Sequence, residues 1–268
     1  MNYGFIGLGN MASAIIKGML TVECFSANNI FGYDPYPAGA RALAEATGIT
    51  LCGSNADLAK AADVIIIAVK PQMMAQALKE ITAGPIEGKL FISIAAGKDI
   101  AFMQEFLGPD APIVRIMPNI NSKVRAATSA LAPSPKATEE HKKIARDIFS
   151  TIGTVTELPE SLIGTFMAIA SAAPAFSYMY IDALARAGVR FGMSKKLALE
   201  IASSQVFGSA KMVMESNEHP FDLIDQVCSP AGTTIEGITA LQANGFEAAV
   251  HKAVEAALLR DRALSSGK

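Results

Sequence analysis

A glycine loop at Gly7–Ala12 (GLGNMA) follows the apolar run Tyr3–Ile6 and leads into a helical pattern. In this position Gly7 allows the tight turn from strand to helix, and Gly9 lets a pyrophosphate approach the main chain. Ala12 replaces the third glycine of such loops with the next smallest residue, which keeps the helix close to the strand. A glycine loop alone is weak evidence. Its place between a strand and a helix, however, predicts the first unit of a dinucleotide-binding sheet.

Short apolar runs alternate with helical patterns from Asn2 to about Leu158. This alternation predicts a parallel sheet covered by helices on both faces. The expected first domain, residues 1–158, is therefore an α/β, Rossmann-like, doubly wound parallel sheet. Its predicted strands are Tyr3–Ile6, Ile30–Tyr33, Val64–Val69, Leu90–Ile94 and Ile113–Ile116, with two further strands at Thr128–Ala132 and Thr154–Leu158.

The strand signals stop after Pro159, and the patterns that follow are helical. Glycines and prolines separate these patterns from one another. The sequence therefore predicts a second, all-α domain over residues 159–268. Its predicted helices are Leu162–Arg190, Lys195–Glu215, Phe221–Val227, Thr234–Leu241 and Phe246–Leu264.

Charge and cysteine usage argue against several classes of protein. A formal net charge of -2 gives no electrostatic reason to bind nucleic acid or an anionic membrane. The 3 scattered cysteines lack a CxxC pair, and the 3 histidines form no HxxxH motif, so neither a disulfide framework nor a metal site is expected. A reducing cytoplasm fits this cysteine usage, and no basic region of a secretory signal precedes the first strand. We expect His141 and His251 to be solvated and His219 to cap a helix.

The run Ser161–Ile181 carries no charged residue over a length that could cross a bilayer. Small and polar residues lower its hydrophobicity, and Glu160 and Asp182 flank it without an excess of Lys or Arg. A helix buried on all sides within an oligomer is therefore favoured over a membrane span.

Asp34 lies 22 residues beyond Ala12, at the end of the second predicted strand. An acidic side chain near this offset can bond the ribose 2′-hydroxyl of a dinucleotide and repel a 2′-phosphate. That interpretation favours NADH over NADPH. Alternatively, Asp34 is a turn residue before Pro35, and a cation such as Arg41 could still reach a phosphate.

Three later loops follow predicted strands and should line the same cleft. Ligands of open parallel sheets bind beyond the carboxyl ends of the strands, near the switch in strand order. The loops are Ala68–Pro71, Ser93–Gly97 and Arg115–Asn119. Taken singly, these loops are weak evidence for a binding site, because Lys70 alone would more often be a solvated lysine and Pro71 the first residue of a helix.

A second anion-seeking stretch lies at Asp225–Thr234 (DQVCSPAGTT). Its Pro-Ala-Gly turn leads into two threonines and a helical pattern that begins at Thr233. Free main-chain N–H groups and hydroxyls therefore converge where a carboxylate could sit.

Together with the glycine loop, this stretch resembles the Δ1-pyrroline-5-carboxylate reductases, and the resemblance extends from Tyr3 to Leu264. It implies an oxidoreductase that reduces 1-pyrroline-5-carboxylate to L-proline with NADPH or NADH. It also implies that the helical domain dimerises, in a homodimer or a larger oligomer of dimers. The family carries glycines where this chain has Ala231 and Ala173, and if Ala231 were forced to positive φ the strain would be about 1–2 kcal/mol.

The resemblance also implies the site residues. At the substrate, a cyclic imine carboxylate, these would be Ser229, Gly232, Thr233, Thr234 and Asn119. The residues expected at the cofactor are Ile6, Gly7, Leu8, Gly9, Asn10, Met11, Asp34, Asn55, Ala68, Val69, Lys70, Pro71, Ala95, Ala96 and Gly97.

The implied chemistry makes modest demands on the protein. Hydride passes from the reduced nicotinamide to the imine carbon, so the enzyme must mainly position two partners and exclude water. We expect Thr234 to donate to the ring nitrogen as a positioning group, because a hydroxyl is a poor general acid near neutral pH. Other possibilities are a β-hydroxyacid dehydrogenase or other imine reductase, and a catalytically weak nucleotide-binding paralogue. The β-hydroxyacid dehydrogenases typically carry a catalytic lysine on a glycine-rich helix in the middle of the chain. The corresponding residues here, 169–184, include no lysine, which argues against that family.

Overall fold

The computed structural model describes residues 1–265, and their contacts divide the chain into two units. Unit 1 comprises Met1–Ser171 together with the end of the last helix from Leu258, and unit 2 comprises Ala172–Ala257. The predicted domain boundary after residue 158 lies earlier in the chain and stays a prediction. Residues 266–268 lie outside the described part.

Unit 1 is built on an eight-stranded sheet with the order β3-β2-β1-β4-β5-β6-β7-β8. The first six strands follow the order of the dinucleotide-binding α/β sheet, with a switch point between β1 and β4. The strands are β1 (Tyr3–Ile6), β2 (Ile30–Tyr33), β3 (Thr50–Leu51), β4 (Val64–Ile67), β5 (Leu90–Ser93), β6 (Ile113–Met117), β7 (Ala127–Pro133) and β8 (Gly153–Glu157).

Helices cover both faces of this sheet. Because side chains alternate along a strand, Phe5 of β1 joins the core on one face and Ile6 joins the core on the other. The first core includes side chains of α1 (Asn10–Met19), α2 (Pro37–Thr47) and α6 (Glu139–Ser150). The second includes side chains of α3 (Asn55–Ala61), α4 (Met74–Ile81) and α5 (Ile100–Leu107).

Side chains cap the starts of several helices. Ser54 caps α3, Asp99 caps α5, and Thr138 caps α6 by accepting from a main-chain N–H. His141, which we expected to be solvated, also takes part, because its Nδ1 accepts from Thr138 N at 3.1 Å. His219 caps its helix by accepting from the N–H of Phe221, as predicted.

The predicted parallel sheet is confirmed for its first six strands, and the far edge of the sheet is mixed. β7 runs antiparallel to β6, and β8 is parallel to β7. Only a short connection with a 3₁₀ turn, Ile120–Val124, joins β6 to β7, and such a link reverses the chain without a crossover helix. The two-residue strand β3 was not predicted, and β4 ends at Ile67, two residues before its predicted end.

The helix predicted over Leu162–Arg190 is interrupted. It divides into α7 (Ile163–Phe166), a π-helical segment at Met167–Ser171 and α8 (Ala173–Arg190). Pro174 explains the break, because it has no N–H to donate to the carbonyl of Ala170 four residues earlier. That carbonyl instead accepts from Asn119 Nδ2 at 2.8 Å.

Unit 2 is entirely helical. Small residues let α8 and α9 pack closely, with Ala185, Ala198 and Ala202 buried between them. Its other helices are α9 (Lys195–Ser216), α10 (Pro220–Val227), α11 (Thr233–Ala243) and α12 (Phe246–Ser265), of which the last continues into unit 1.

Among the described residues, one helical segment, Glu160–Arg190, is long and apolar enough to cross a membrane, with a mean hydropathy of 1.4. A single segment of this kind is weak evidence, because core helices of soluble proteins meet the same criteria.

Candidate active site

The glycine loop after β1 is shaped for an anion. Gly7 has φ +89°, and a Cβ added there would lie 2.9 Å from the carbonyl oxygen of Ala68. Gly9 precedes α1 and no atom lies within 4 Å of the position its Cβ would take. Because no side chain caps α1, the N–H groups of its first turn are free to bind a phosphate oxygen.

Asp34 fastens this loop to the end of β2. Its Oδ2 accepts from Leu8 N at 2.8 Å, and its Oδ1 accepts from Tyr36 N at 2.8 Å. The turn interpretation of Asp34 therefore holds, but it does not exclude a ribose contact. An ionised carboxylate has about four acceptor positions, of which these bonds occupy two.

A cavity of about 330 Å³ opens between the glycine loop and the ends of β2 and β4. Asn55 lies in its wall, 6% exposed, and donates from Nδ2 to Glu80 Oε2 at 2.7 Å. The Oδ1 of Asn55 is buried and has no partner, which is costly unless a ligand or water donates to it. The cavity is lined by Ile6, Gly7, Tyr33, Pro35, Asn55, Val69, Gln72, Met73, Gln76, Ala77 and Glu80.

Cys52 packs at the edge of this region, against the core on the α3 side of the sheet. Partial burial raises the pKa of its thiol, and the nearby carboxylate of Asp57 raises it further. The thiol is therefore the dominant form near neutral pH, and Cys52 is a poor candidate for a nucleophile.

The loops after β4 and β5 lie at the same edge of the sheet as the glycine loop. Ala68 and Val69 approach Gly7, whereas the side chain of Lys70 is exposed. Ala95 is buried, Ala96 is exposed, and Gly97 has φ +70° and borders a second cavity of about 460 Å³. The structure thus brings Ile6, Gly7, Asn55 and Val69 to one cavity, whereas Gly97 borders the other.

Asn119, a predicted substrate residue, is 4% exposed. Its Nδ2 donates to Ala170 O, and its Oδ1 accepts from Asn121 N at 3.2 Å and from Thr128 N at 3.4 Å. The amide therefore holds β6, β7 and the π-helical segment together. Its assignment to the substrate stays a prediction.

The second predicted turn lies in unit 2. Gly232 N donates to Ser229 O at 3.0 Å, which closes a four-residue turn with Pro230 second and Ala231 third. Ala231 has φ +56°, the sign that a type II turn requires at its third position. Gly232 then precedes α11 without a side-chain cap, so the first N–H groups of that helix are available to a carboxylate.

No sequence pattern indicates the ion pair between Arg115 of β6 and Glu160. Glu160 Oε1 accepts from Arg115 Nη1 at 2.9 Å and also from the N–H of Ile100 at 2.8 Å, at the start of α5. The side chain of Arg115 is 9% exposed, so losing its partner would leave a nearly buried charge. The pair fixes β6 two residues before Met117, at the border of the second cavity.

The sheet order and the open glycine loop are those of a dinucleotide-binding protein, here with a second, helical unit. Comparison with known proteins extends this. Residues 160–264 match the model of the pyrroline-5-carboxylate reductase dimerisation domain, and residues 2–97 match that of coenzyme F420-dependent NADP oxidoreductases.

Several characterised proteins are similar over almost their whole length. Pyrroline-5-carboxylate reductase of Methanosarcina acetivorans is 39% identical over 261 residues, 97% of each chain. The solved structure of the Coxiella burnetii enzyme has a TM-score of 0.94 and 30% identity over 98% of each chain. That of the Plasmodium falciparum enzyme with NADP bound has a TM-score of 0.86 and 32% identity, over 99% of this chain and 98% of that one.

The chain belongs to the pyrroline-5-carboxylate reductase family. It is an NAD(P)H-dependent oxidoreductase of proline biosynthesis that reduces 1-pyrroline-5-carboxylate to L-proline. The alternatives of a β-hydroxyacid dehydrogenase or other imine reductase, and of a catalytically weak nucleotide-binding paralogue, are therefore set aside.

The dimerisation domain also accounts for an apolar groove on unit 2. This groove, of about 490 Å³, is lined by side chains of α8, α11 and α12, including Met179, which is 77% exposed. Burial of such a surface against a second chain is the expected use of a dimerisation domain, so the enzyme is a homo-oligomer. Among the described residues, no group of three or more His, Cys, Asp and Glu side chains could hold a metal ion.

Proposed function

We propose that the loop Gly7–Met11 binds the cofactor pyrophosphate and that the ends of β4 and β5 hold the nicotinamide half. The observation that carries this proposal is the open approach at Gly9 beside an uncapped α1. A pyrophosphate there would accept from the N–H groups of the first turn and gain from the helix dipole.

The same proposal places the adenosine half in the cavity between the glycine loop and Asn55. Asp34 borders this end of the site, and its bond from Leu8 N holds the carboxylate in place. A carboxylate held there can accept a hydrogen bond from a ribose 2′-hydroxyl, and its negative charge repels a 2′-phosphate. We therefore propose that the enzyme prefers NADH to NADPH.

The turn at Ser229–Thr234 binds the substrate in this proposal. Main-chain N–H groups at the start of α11, with the hydroxyls of Ser229 and Thr233, hold the carboxylate. Thr234 donates to the ring nitrogen and orients the imine carbon. The reduced nicotinamide supplies the hydride, and the protein's own contribution is positioning and exclusion of water.

We propose further that the working unit is a homodimer, or an oligomer of such dimers, in which the apolar groove is covered by a second chain. An enzyme in this form is expected to bind neither nucleic acid nor membranes. The reduced state of the 3 free cysteines suits the cytoplasm.

The test is a comparison of initial rates of NADH and NADPH oxidation with 1-pyrroline-5-carboxylate. We expect the kcat/KM for NADH to exceed that for NADPH. A wild-type preference for NADPH would contradict the role given to Asp34. If a substitution in the glycine loop left the binding of both cofactors unchanged, the proposed site would be wrong.

A further inference from the structure

Glu80 occupies an unusual place for a carboxylate. It lies on α4 in the wall of the proposed adenosine cavity, where two side-chain amides donate to it. Asn55 Nδ2 donates to Oε2 at 2.7 Å, and Gln76 Nε2 donates to Oε1 at 2.6 Å. Glu80 is therefore held in one position at the edge of the site.

This arrangement fixes the orientation of the Asn55 amide on chemical grounds. An ionised carboxylate has no hydrogen to donate, so it can pair only with the NH₂ group of Asn55. The amide oxygen must then point the other way. That oxygen is the buried Oδ1 without a partner, so the site presents an unused acceptor and no donor from this side chain.

We propose that Glu80 is a positioning residue that makes the enzyme selective for NADH by holding Asn55 as an acceptor. A ribose hydroxyl can donate to Asn55 Oδ1, whereas a 2′-phosphate, mostly a dianion near neutral pH, has no hydrogen to offer. The negative charge of Glu80 opposes the phosphate as well. This inference rests on the cofactor site proposed above and is independent of Asp34.

The test is the substitution Glu80→Gln. A glutamine amide can donate to Asn55 Oδ1, so the Asn55 amide can turn over and present its NH₂ group to the cofactor. We expect the ratio of kcat/KM for NADPH over NADH to rise about tenfold, the usual effect of one hydrogen bond to a charged group.

A matched control is Glu87→Gln. It removes the same charge from an exposed position just before β5, at the opposite edge of the sheet, and should leave the ratio unchanged. Asn55→Ala is a second route to the same question. Removal of the acceptor should lower kcat/KM for NADH and leave that for NADPH nearly unchanged.

Calorimetry with 5′-AMP and adenosine 2′,5′-bisphosphate separates the possible failures. Glu80→Gln should improve binding of the bisphosphate relative to 5′-AMP. Equal changes for both ligands would mean that Asn55 contacts the adenine amino group, which would overturn the inference. If neither ligand binds the wild type, the proposed cofactor site itself is wrong. An effect of Glu80→Gln without any effect at Asp34 would keep this inference and reject the role of Asp34.

Discussion

The main-chain N–H of Leu8 donates to Asp34 Oδ2 at 2.8 Å, which joins the loop after β1 to the end of β2. One side chain therefore shapes the loop that we propose binds the pyrophosphate, and in the same proposal it sets the charge beside the ribose. The second carboxylate oxygen closes the local turn by accepting from Tyr36 N. A substitution here is expected to change cofactor choice and, to a smaller degree, stability.

Asp34→Ser should shift the cofactor preference toward NADPH. A carboxylate about 4 Å from a phosphate disfavours binding by roughly 1–4 kcal/mol per charge pair. We expect the NADPH to NADH ratio of kcat/KM to rise at least about tenfold, equivalent to 1.4 kcal/mol. Asp63→Ser is the control, because Asp63 also accepts from a main-chain N–H, that of Asn2, but at the start of β4. An unchanged ratio in the Asp34 variant would leave only its turn role.

Gly9→Glu should abolish cofactor binding without unfolding the protein. The space around the Gly9 Cβ is empty, so the new side chain fits, but its carboxylate would oppose the pyrophosphate. Binding is measured by titration with NADH, and folding by circular dichroism. Gly39→Glu places the same charge at another glycine with open space and should retain binding. Wild-type affinity in Gly9→Glu would refute the assignment of the loop.

Ala231→Gly should stabilise the protein. The left-handed conformation of Ala231 costs about 1–2 kcal/mol, and glycine avoids this cost. Part of the gain is offset, because glycine also increases the conformational entropy of the unfolded chain. We expect the free energy of unfolding in denaturant to rise by about 0.5–1 kcal/mol. Ala240→Gly, within α11, should lower it by a similar amount. A decrease in both variants would show that the turn gains nothing from glycine.

Met179→Glu should dissociate the oligomer. The exposed methionine side chain lines the apolar groove of unit 2, and an uncompensated carboxylate would be costly to bury against a second chain. Sedimentation velocity should show a smaller species, and a rate assay should show reduced activity. Ala38→Glu adds the same charge to an exposed position on α2 and should sediment like the wild type. A stable, active wild-type monomer at micromolar concentration would contradict the proposed assembly.

Cys52 should react with alkylating reagents more slowly than the exposed Cys24. Burial raises the pKa of the Cys52 thiol and Asp57 raises it further, so less thiolate is present at a given pH. Mass spectrometry of partly alkylated protein measures both rates. Asp57→Asn removes the smaller of the two causes and should accelerate Cys52 alone. Equal rates at Cys24 and Cys52 would contradict this order.

Local patterns in the sequence predicted much of unit 1 and the helical nature of unit 2. The glycine loop, the strand at Tyr3–Ile6 and the turn at Ser229–Thr234 depend on neighbouring residues, whose conformational preferences act over a few positions. The positive φ of Ala231, which the sequence analysis considered, is also a local property, because Ala231 lies in the turn between Pro230 and Gly232. The family resemblance followed from these same segments.

Tertiary structure alone decided the relationships between distant residues. Asn55 and Glu80 are 25 positions apart, and Arg115 and Glu160 are 45 apart, so no periodic pattern links them. The reversed direction of β7 and the use of Asn119 to bond Ala170 arise from how the strands assemble. The physical reason is that a side chain's hydrogen-bond partner depends on strand order and register, which bring together residues whose local sequences carry no sign of one another.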